Sequence, residues 1–290
     1  MERLDLRHVL CPLDFSPVCR GALLYASAIA RARHADLRVL HVAEKKDVVD
    51  GAVGLSSVTR QQLMLKLRAC LDEVTSPDQL TGSAVRHGDP ATEILKFARA
   101  LPADMIVAAA GADSRKRPMG HVASVIVARS ECPVLIVPGR RALPSSDQTG
   151  LFKRIVCAVD MTAASTGVVR QAVAFAWETG GLVTCLCVVP EHAAASVPKV
   201  RERLLAGLPL LECGECQVKG LVKTGEAGPE IVRVADTLRA DLVVIGPPRR
   251  WTSTTHAVLT KSSCPVMVTH ELRAIERPAA GAHRSVFLRR

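Results

Sequence analysis

The chain repeats itself, and that repeat limits what it can fold into more than any other feature. Val9-Leu10-Cys11-Pro12-Leu13-Asp14 matches Ile155-Val156-Cys157-Ala158-Val159-Asp160 at an offset of 146 residues. The same offset carries Ala22, Leu23, Ala26, Ile29 and Ala30 onto Val168, Val169, Ala172, Phe175 and Ala176, and Val39-Leu40-His41-Val42 onto Cys185-Leu186-Cys187-Val188. The offset then falls to 137, aligning Gly88-Asp89-Pro90-Ala91-Thr92-Glu93-Ile94 with Gly225-Glu226-Ala227-Gly228-Pro229-Glu230-Ile231 and Ala103-Asp104-Met105-Ile106-Val107 with Ala240-Asp241-Leu242-Val243-Val244. At 132 it joins Cys132-Pro133-Val134 to Cys264-Pro265-Val266. Matched segments in one order, with an offset that only shrinks, describe a duplication in which copy two has lost residues around its second helix and after its fourth strand.

Each copy alternates short apolar runs with segments of three/four apolar spacing, which reads as β-α-β-α-β-α-β-α-β. In copy one the strands are expected near 7–13, 36–43, 80–86, 104–110 and 133–137. Leu63, Leu67, Cys70, Leu71 and Val74 share one face of the second helix. Ser16-Pro17, Asp89-Pro90 and Gly228-Pro229 each set a capping-type residue before a proline at a helix start. The alternation predicts an α/β fold of two tandem doubly wound five-stranded parallel sheets with helices on both faces. The expected domains are 1–140 and 151–271, joined by a Pro/Gly/Ser-containing linker and followed by a basic tail, 272–290.

Composition narrows the class. Of the 290 residues 48% are hydrophobic and only 3% aromatic, so the cores must be built from Ala, Val, Leu and Ile, which suits parallel strands covered on both faces. No uncharged apolar run approaches the about 18 residues that a membrane span needs. The alternating charges of Met1-Glu2-Arg3-Leu4-Asp5-Leu6-Arg7 do not have a signal-peptide layout, so a cytoplasmic protein without membrane partners is expected. In that compartment the ten cysteines read as thiols, mostly buried ones. The net charge of +10 favours polyanions in general.

The ordered motifs carry a resemblance. An Asp closing the first strand and followed by Phe15-Ser16, a second strand ending Leu40-His41-Val42, a Gly-x-Pro helix start, an Ala-Asp-hydrophobic fourth strand and a Cys-Pro-Val fifth strand, seen twice, resemble the universal stress protein family in its tandem two-domain form. The resemblance spans about residues 6–138 and 152–269. It implies sheets of order 3-2-1-4-5, a regulatory or protective role in stress response, and, as in many members, binding of ATP or a related adenine nucleotide. It also implies pairing of the two domains through their fifth strands, and homodimers are a further possibility.

Open α/β sheets bind ligands at the carboxyl ends of strands where the winding reverses. That rule and the resemblance together single out Asp14, His41, Val42, Ala109, Gly111, Gly120 and His121 in copy one, with Arg115, Lys116 and Arg117 as phosphate partners. In copy two they single out Asp160, Gly246, Thr252 and Ser253 as a weaker counterpart. The departures are plain: the family's loop has the form Gly-x2-Gly-x9-Gly followed by Ser or Thr. Copy one has Ala109 and Ala112 at the first two glycines and His121 at the hydroxyl position, and copy two has Arg249 at the second glycine. Asp14 and Asp160 have a second reading, as helix caps. The residues 115–117 also read as a solvated basic loop, and Arg249-Arg250 as part of a degenerate copy.

Other functional classes find less support. Cys213-Gly214-Glu215-Cys216 has redox or metal spacing but no further ligands beside it. No nucleophile–base or carboxylate pair stands out, so no enzyme is expected beyond weak ATP hydrolysis. The nucleotide-activating enzymes on related folds need Ser-Gly-Gly-x-Asp-Ser or His-x-Gly-His, and Leu13-Asp14-Phe15-Ser16 stands where the first would be. The alternative outside nucleotide binding is a partner-recognition or polyanion-binding module. Specific nucleic-acid binding is not expected, since neither a recognition motif nor aromatic platforms are present.

Overall fold

The computed structural model describes residues 6–44, 55–76, 79, 81–111, 119–139, 151–177, 179–208, 216–247 and 252–270. Copy one runs β1 (His8–Pro12), α1 (Pro17–Ala32), β2 (Asp36–Ala43), α2 (Ser57–Asp72), β3 (Thr81–His87), α3 (Pro90–Ala100), β4 (Met105–Ala109), α4 (His121–Arg129) and β5 (Val134–Val137). Copy two repeats it as β6 (Arg154–Ala158), α5 (Ala164–Trp177), β7 (Leu182–Val189), α6 (Val197–Gly207), β8 (Gln217–Thr224), α7 (Ala227–Thr237), β9 (Leu242–Ile245), α8 (Ser253–Lys261) and β10 (Val266–Val268). A short 3-10 segment, Glu191–Ser196, precedes α6. All ten strands form one sheet in the order β3-β2-β1-β4-β5-β10-β9-β6-β7-β8. Each half is parallel with order 3-2-1-4-5, and the halves meet antiparallel, with Val266 opposite Ile136, Met267 opposite Leu135 and Val268 opposite Val134.

Two repeated motifs explain this topology. Asp104 and Asp241 each stand just before the fourth strand of their copy. The Asp104 carboxylate accepts the amides of Arg7 and His8 at 2.7 and 2.9 Å, and Asp241 accepts those of Lys153 and Arg154 at 3.2 and 3.0 Å. These bonds cap the amino end of the first strand with the fourth and set the two side by side where the winding reverses. Before the fifth strand, Ser130 Oγ accepts from the Cys132 amide and donates to its carbonyl, and Ser262 does the same around Cys264. The carbonyls of Pro133 and Pro265 then accept from the amides of Ile106 and Val243, both at 3.0 Å. The Cys-Pro-Val signature is therefore a turn that delivers the fifth strand in register.

The core forms one layer on each face of the sheet. One contains Leu23, Ile29, Leu67, Val168 and Phe175 from the helices of its face, with Val39 and Val183 beneath them. The other contains Ile94, Ile126, Ile231 and Val258 over Leu10, Ile136 and Val243. Both layers draw on both copies. Scarce aromatics gather beside the seam, where Tyr25 of α1 stacks on Phe152 at 6.3 Å and Phe152 meets Phe175 of α5 edge-on at 5.8 Å. Arg33 lies over Phe175 at 5.1 Å and donates to the Ala174 carbonyl at 3.1 Å, crossing from one copy to the other.

The α1 start is placed as expected but without a capping bond, and the α7 start differs from expectation. Ser16 is the N-cap of α1 but its side chain makes no capping bond; the Cys19 amide donates to the Ser16 carbonyl at 3.1 Å, and Asp14 accepts the amide of Ser16 itself. Helix α7 begins at Ala227, with Glu226 at the N-cap, so Gly228 and Pro229 lie inside its first turn. A proline is tolerated there because first-turn amides have no intrahelical acceptor. Asp89 caps α3 as expected, accepting from the Thr92 amide at 2.9 Å.

Replacing Asp104 or Asp241 by alanine strands two amide donors at the strand junction. Because water reaches most of these amides, each substitution is expected to cost about 0.5–1.5 kcal/mol, read as a lower urea midpoint.

Candidate functional site

Each copy ends its first strand in the same turn. The Leu13 amide donates to Leu40 O at 2.9 Å, which carries the β1–β2 ladder one residue past the strand. The chain then reverses through Phe15 at φ 62°, and Met161 sits at φ 61° in copy two. Non-glycine residues reach this region only where neighbours hold them there. Asp14 Oδ1 accepts from the Ser16 amide at 2.8 Å and from the Cys19 thiol at 2.9 Å. Asp160 Oδ1 accepts from the Thr162 amide, the Thr162 hydroxyl and the Ser165 hydroxyl at 3.1, 2.6 and 2.8 Å. Partial burial disfavours both charges, but these bonds outweigh it and hold both carboxyls below the ordinary range.

His41 is buried at the end of β2. Its Nδ1 lies 2.8 Å from Leu13 O, and because a carbonyl can only accept, Nδ1 carries the proton. Its ring packs on Phe15 with centroids 4.4 Å apart, and Lys66 lies over the other ring at 6.0 Å. His41 thus fastens the β1–α1 loop to β2. Val42 is buried beside it, and Cys187 takes the equivalent position in copy two, where burial and then the Asp160 charge push its thiol pKa up.

The fourth strand of copy one ends at Ala109, with Gly111 two residues beyond it at φ +100°. A Cβ on Gly111 would lie 2.7 Å from Gly120 N and 2.8 Å from its Cα, so only glycine fits. The Gly120 amide donates to Ala110 O at 2.8 Å, and the Ala110 amide to Val137 O at 2.9 Å. The loop therefore leaves and re-enters through one narrow neck. Gly120 is the N-cap of α4 and offers no side-chain cap, while His121 opens the helix exposed to solvent, near enough to help keep the Asp89 pKa low after its Thr92 bonds. Arg115, Lys116, Arg117 and Ala112 lie outside the described residues.

Asp14, His41, Val42, Ala109, Gly111, Gly120 and His121 thus all lie at the carboxyl ends of neighbouring strands β2, β1 and β4 and the start of α4. Cys19, which holds Asp14, was not among the residues singled out from the sequence. Its signal was there: Cys19 and Ser165 align at the offset of 146, each five residues after its Asp.

Copy two is built differently. Gly246 follows β9, and a Cβ there would meet Val168 at 3.4 Å. Thr252 caps α8 itself, its Oγ1 accepting from the Thr255 amide at 3.2 Å, with Ser253 exposed beside it. Glu226, Pro229, Thr252, Ser253, His256, Ala257 and Lys261 border a shallow depression of about 370 Å³ between α7 and α8. Arg249, Arg250 and Cys213 lie outside the described residues, and Cys216 is buried. Among the described residues no group of three or more His, Cys, Asp or Glu is placed to hold a metal, and no helix is long and apolar enough to cross a membrane.

A doubly wound parallel sheet whose winding reverses between its first and fourth strands defines a class of α/β fold that receives ligands at the carboxyl ends of those strands. Within it the assignment is firm: the profile of the universal stress protein family matches residues 5–138 and again 151–270, and the chain belongs to that family as a tandem two-domain member. A universal stress protein from Archaeoglobus fulgidus DSM 4304 superposes with a TM-score of 0.70 at 18% identity, over 92% of this chain and 97% of its own. A protein of unknown function from Pseudomonas aeruginosa PAO1 superposes with a TM-score of 0.65 at 17% identity, over 92% and 93%. Comparison with curated proteins gave no match.

The lowered pKa values give a signed pH dependence. A carboxyl whose folded value is depressed adds stability above its ordinary value of 3.8, and loses it as pH falls through the lower folded value. Asp14→Asn and Asp160→Asn are therefore expected to lower the urea midpoint at pH 7 and to approach the parent protein as pH falls through the depressed folded value, below 3.8. Urea unfolding repeated between pH 2 and pH 7 checks this.

Proposed function

We propose that this universal stress protein is a cytoplasmic regulatory or protective binding protein of the stress response, that copy one is its nucleotide site, and that it is not an efficient enzyme. The nucleoside of an adenine nucleotide is received at Asp14, beside His41 and Val42. Its phosphates lie toward Gly111, Gly120 and His121, with Arg115, Lys116 and Arg117 supplying charge. One observation carries the reading: among the described residues the amide-rich start of α4 has no side-chain cap, whereas in copy two Thr252 fills the equivalent place. Uncapped first-turn amides favour an anion. With alanine at Ala109 and Ala112, fewer backbone amides can approach a phosphate than in the full family loop, so more of the binding falls to side-chain charge, which salt screens. We further propose domains 1–140 and 151–271 with a basic tail at 272–290, and retention of the β5–β10 pairing within a single chain in solution.

Calorimetric titration of the full chain with ATP and with adenosine tests the site. Asp14→Ala should weaken both ligands about tenfold or more. Replacing Arg115, Lys116 and Arg117 by glutamine should weaken ATP alone, more so at low salt, and Asp160→Ala should change neither. Binding indifferent to Asp14 and to the basic residues would overturn the assignment. If neither ligand binds, partner recognition without nucleotide becomes the function. Sedimentation should return the mass of one chain, since the fifth strands are already paired; a dimer that dissociates only on unfolding would contradict this.

A further inference from the structure

The loop bearing Asp14 is held by a donor that neither the strand nor the helix requires for its own backbone. Cys19 lies in the first turn of α1 and gives its thiol proton to Asp14 Oδ1 at 2.9 Å. Five residues after Asp160, Ser165 gives its hydroxyl proton to Asp160 Oδ1 at 2.8 Å. Between these anchor points no residue is identical: Phe15, Ser16, Pro17 and Val18 align with Met161, Thr162, Ala163 and Ala164, where only Ser16 and Thr162 share a hydroxyl and an amide bonded to the acid. What both keep is a short side chain with one proton to give, aimed at the same carboxylate oxygen.

Burial alone does not explain the thiol. Cys19 is 7% exposed, and alanine or valine would satisfy that environment without a polar hydrogen. A thiol serves as donor only while it keeps its proton. Burial, then the Asp14 carboxylate beside it, raise its pKa to about 12, so sulfur stays protonated across the physiological range. The same environment makes it a poor nucleophile and separates this role from redox chemistry. The donors around the two acids also differ in number. Asp160 Oδ1 takes an amide and two hydroxyls, whereas Asp14 Oδ1 takes one amide and one thiol, with the Ser16 hydroxyl near enough to help lower the Asp14 pKa.

We propose that Cys19 is a positioning residue for Asp14: with the Ser16 amide it occupies Oδ1 and fixes the carboxylate, so that Oδ2 is the oxygen presented to a nucleoside at the carboxyl end of β1. Both of those bonds end on Oδ1 and neither reaches Oδ2. Ser165 plays the same part for Asp160. The claim about ligand rests on the reading of copy one as a nucleoside site, whereas the claim about the carboxylate does not depend on it.

The test is a pH titration of the Asp14 and Asp160 carboxyl carbons by NMR in the full chain, run for the parent, Cys19→Ala and Cys19→Ser, with adenosine titrated by calorimetry into each. Cys19→Ala should raise the Asp14 midpoint by about half to one pH unit, the scale of one hydrogen bond. It should also weaken adenosine roughly three- to tenfold. Cys19→Ser should return the midpoint to the parent value or below and restore the affinity. Ser165→Ala should raise the Asp160 midpoint and leave adenosine unchanged. An Asp14 midpoint that ignores Cys19→Ala, or moves equally in the alanine and serine variants, overturns the positioning role. A shifted midpoint with unchanged adenosine affinity overturns its part in binding. A parent protein that binds no adenosine yet shows the shift and its rescue defeats the nucleoside reading and upholds the positioning of Asp14.

Discussion

Everything in this molecule hangs on the pairing of β5 with β10. Within its own copy each fifth strand has a neighbour on one side only, and its other side is a row of amides and carbonyls flanked by wholly apolar side chains. Left bare, such an edge recruits foreign strands. Here the two edges satisfy each other, and the residues from Val134 to Val137 and from Val266 to Val268 are no more than 2% exposed. Because the contact is antiparallel, strands of one copy run opposite to those of the other. The carboxyl ends of the two halves therefore face opposite ends of the sheet. Asp14 and Asp160 cannot meet at one ligand, and each copy has been free to change its own site.

That freedom shows at the fourth helix of each half. Gly111 and Gly120 pinch the copy-one loop at its neck, and among the described residues no side chain caps α4, while Thr252 closes the start of α8 on itself. Copy two also packs its helices more closely there: a Cβ on Gly228 would come within 2.7 Å of the Ala257 methyl carbon. A helix pair drawn together over a capped terminus is a stable edge of a domain, and a less suitable place for a phosphate.

The fold was legible because its constraints are local and repeated. Buried strands must be apolar runs, helix faces must recur at three and four, and the Ala-Asp and Cys-Pro signatures recur at matched offsets because each makes the same short-range bonds twice. The boundaries of β1, β3 and β4 moved by only a residue or two. The site was legible as a region but not in its bonds. Ser16 stands at the cap, yet the Cys19 amide bonds to its carbonyl and not to its hydroxyl, and whether a side chain turns inward is set by torsions that spacing does not encode. Gly111 lies beside the position where the family's glycine was counted, and its necessity comes from Gly120, nine residues on, which only the folded loop brings near. Cys19 reads as one more buried thiol until Asp14 stands 2.9 Å away.

The bond from Arg33 to the Ala174 carbonyl makes the seam directional. At the matched position copy two has Thr179, whose hydroxyl turns back to its own Phe152 and Ala176 carbonyls. Phe175 has Ile29 as its counterpart, and Phe152 has Leu6. Two first copies brought together would thus offer each guanidinium an aliphatic surface in place of a ring, and two second copies would bring no guanidinium at all. At this point the two sides of the seam are unlike. Fusion in one chain has turned what symmetric assembly would make a self-complementary face into a lock and its key, so the two halves are no longer interchangeable parts.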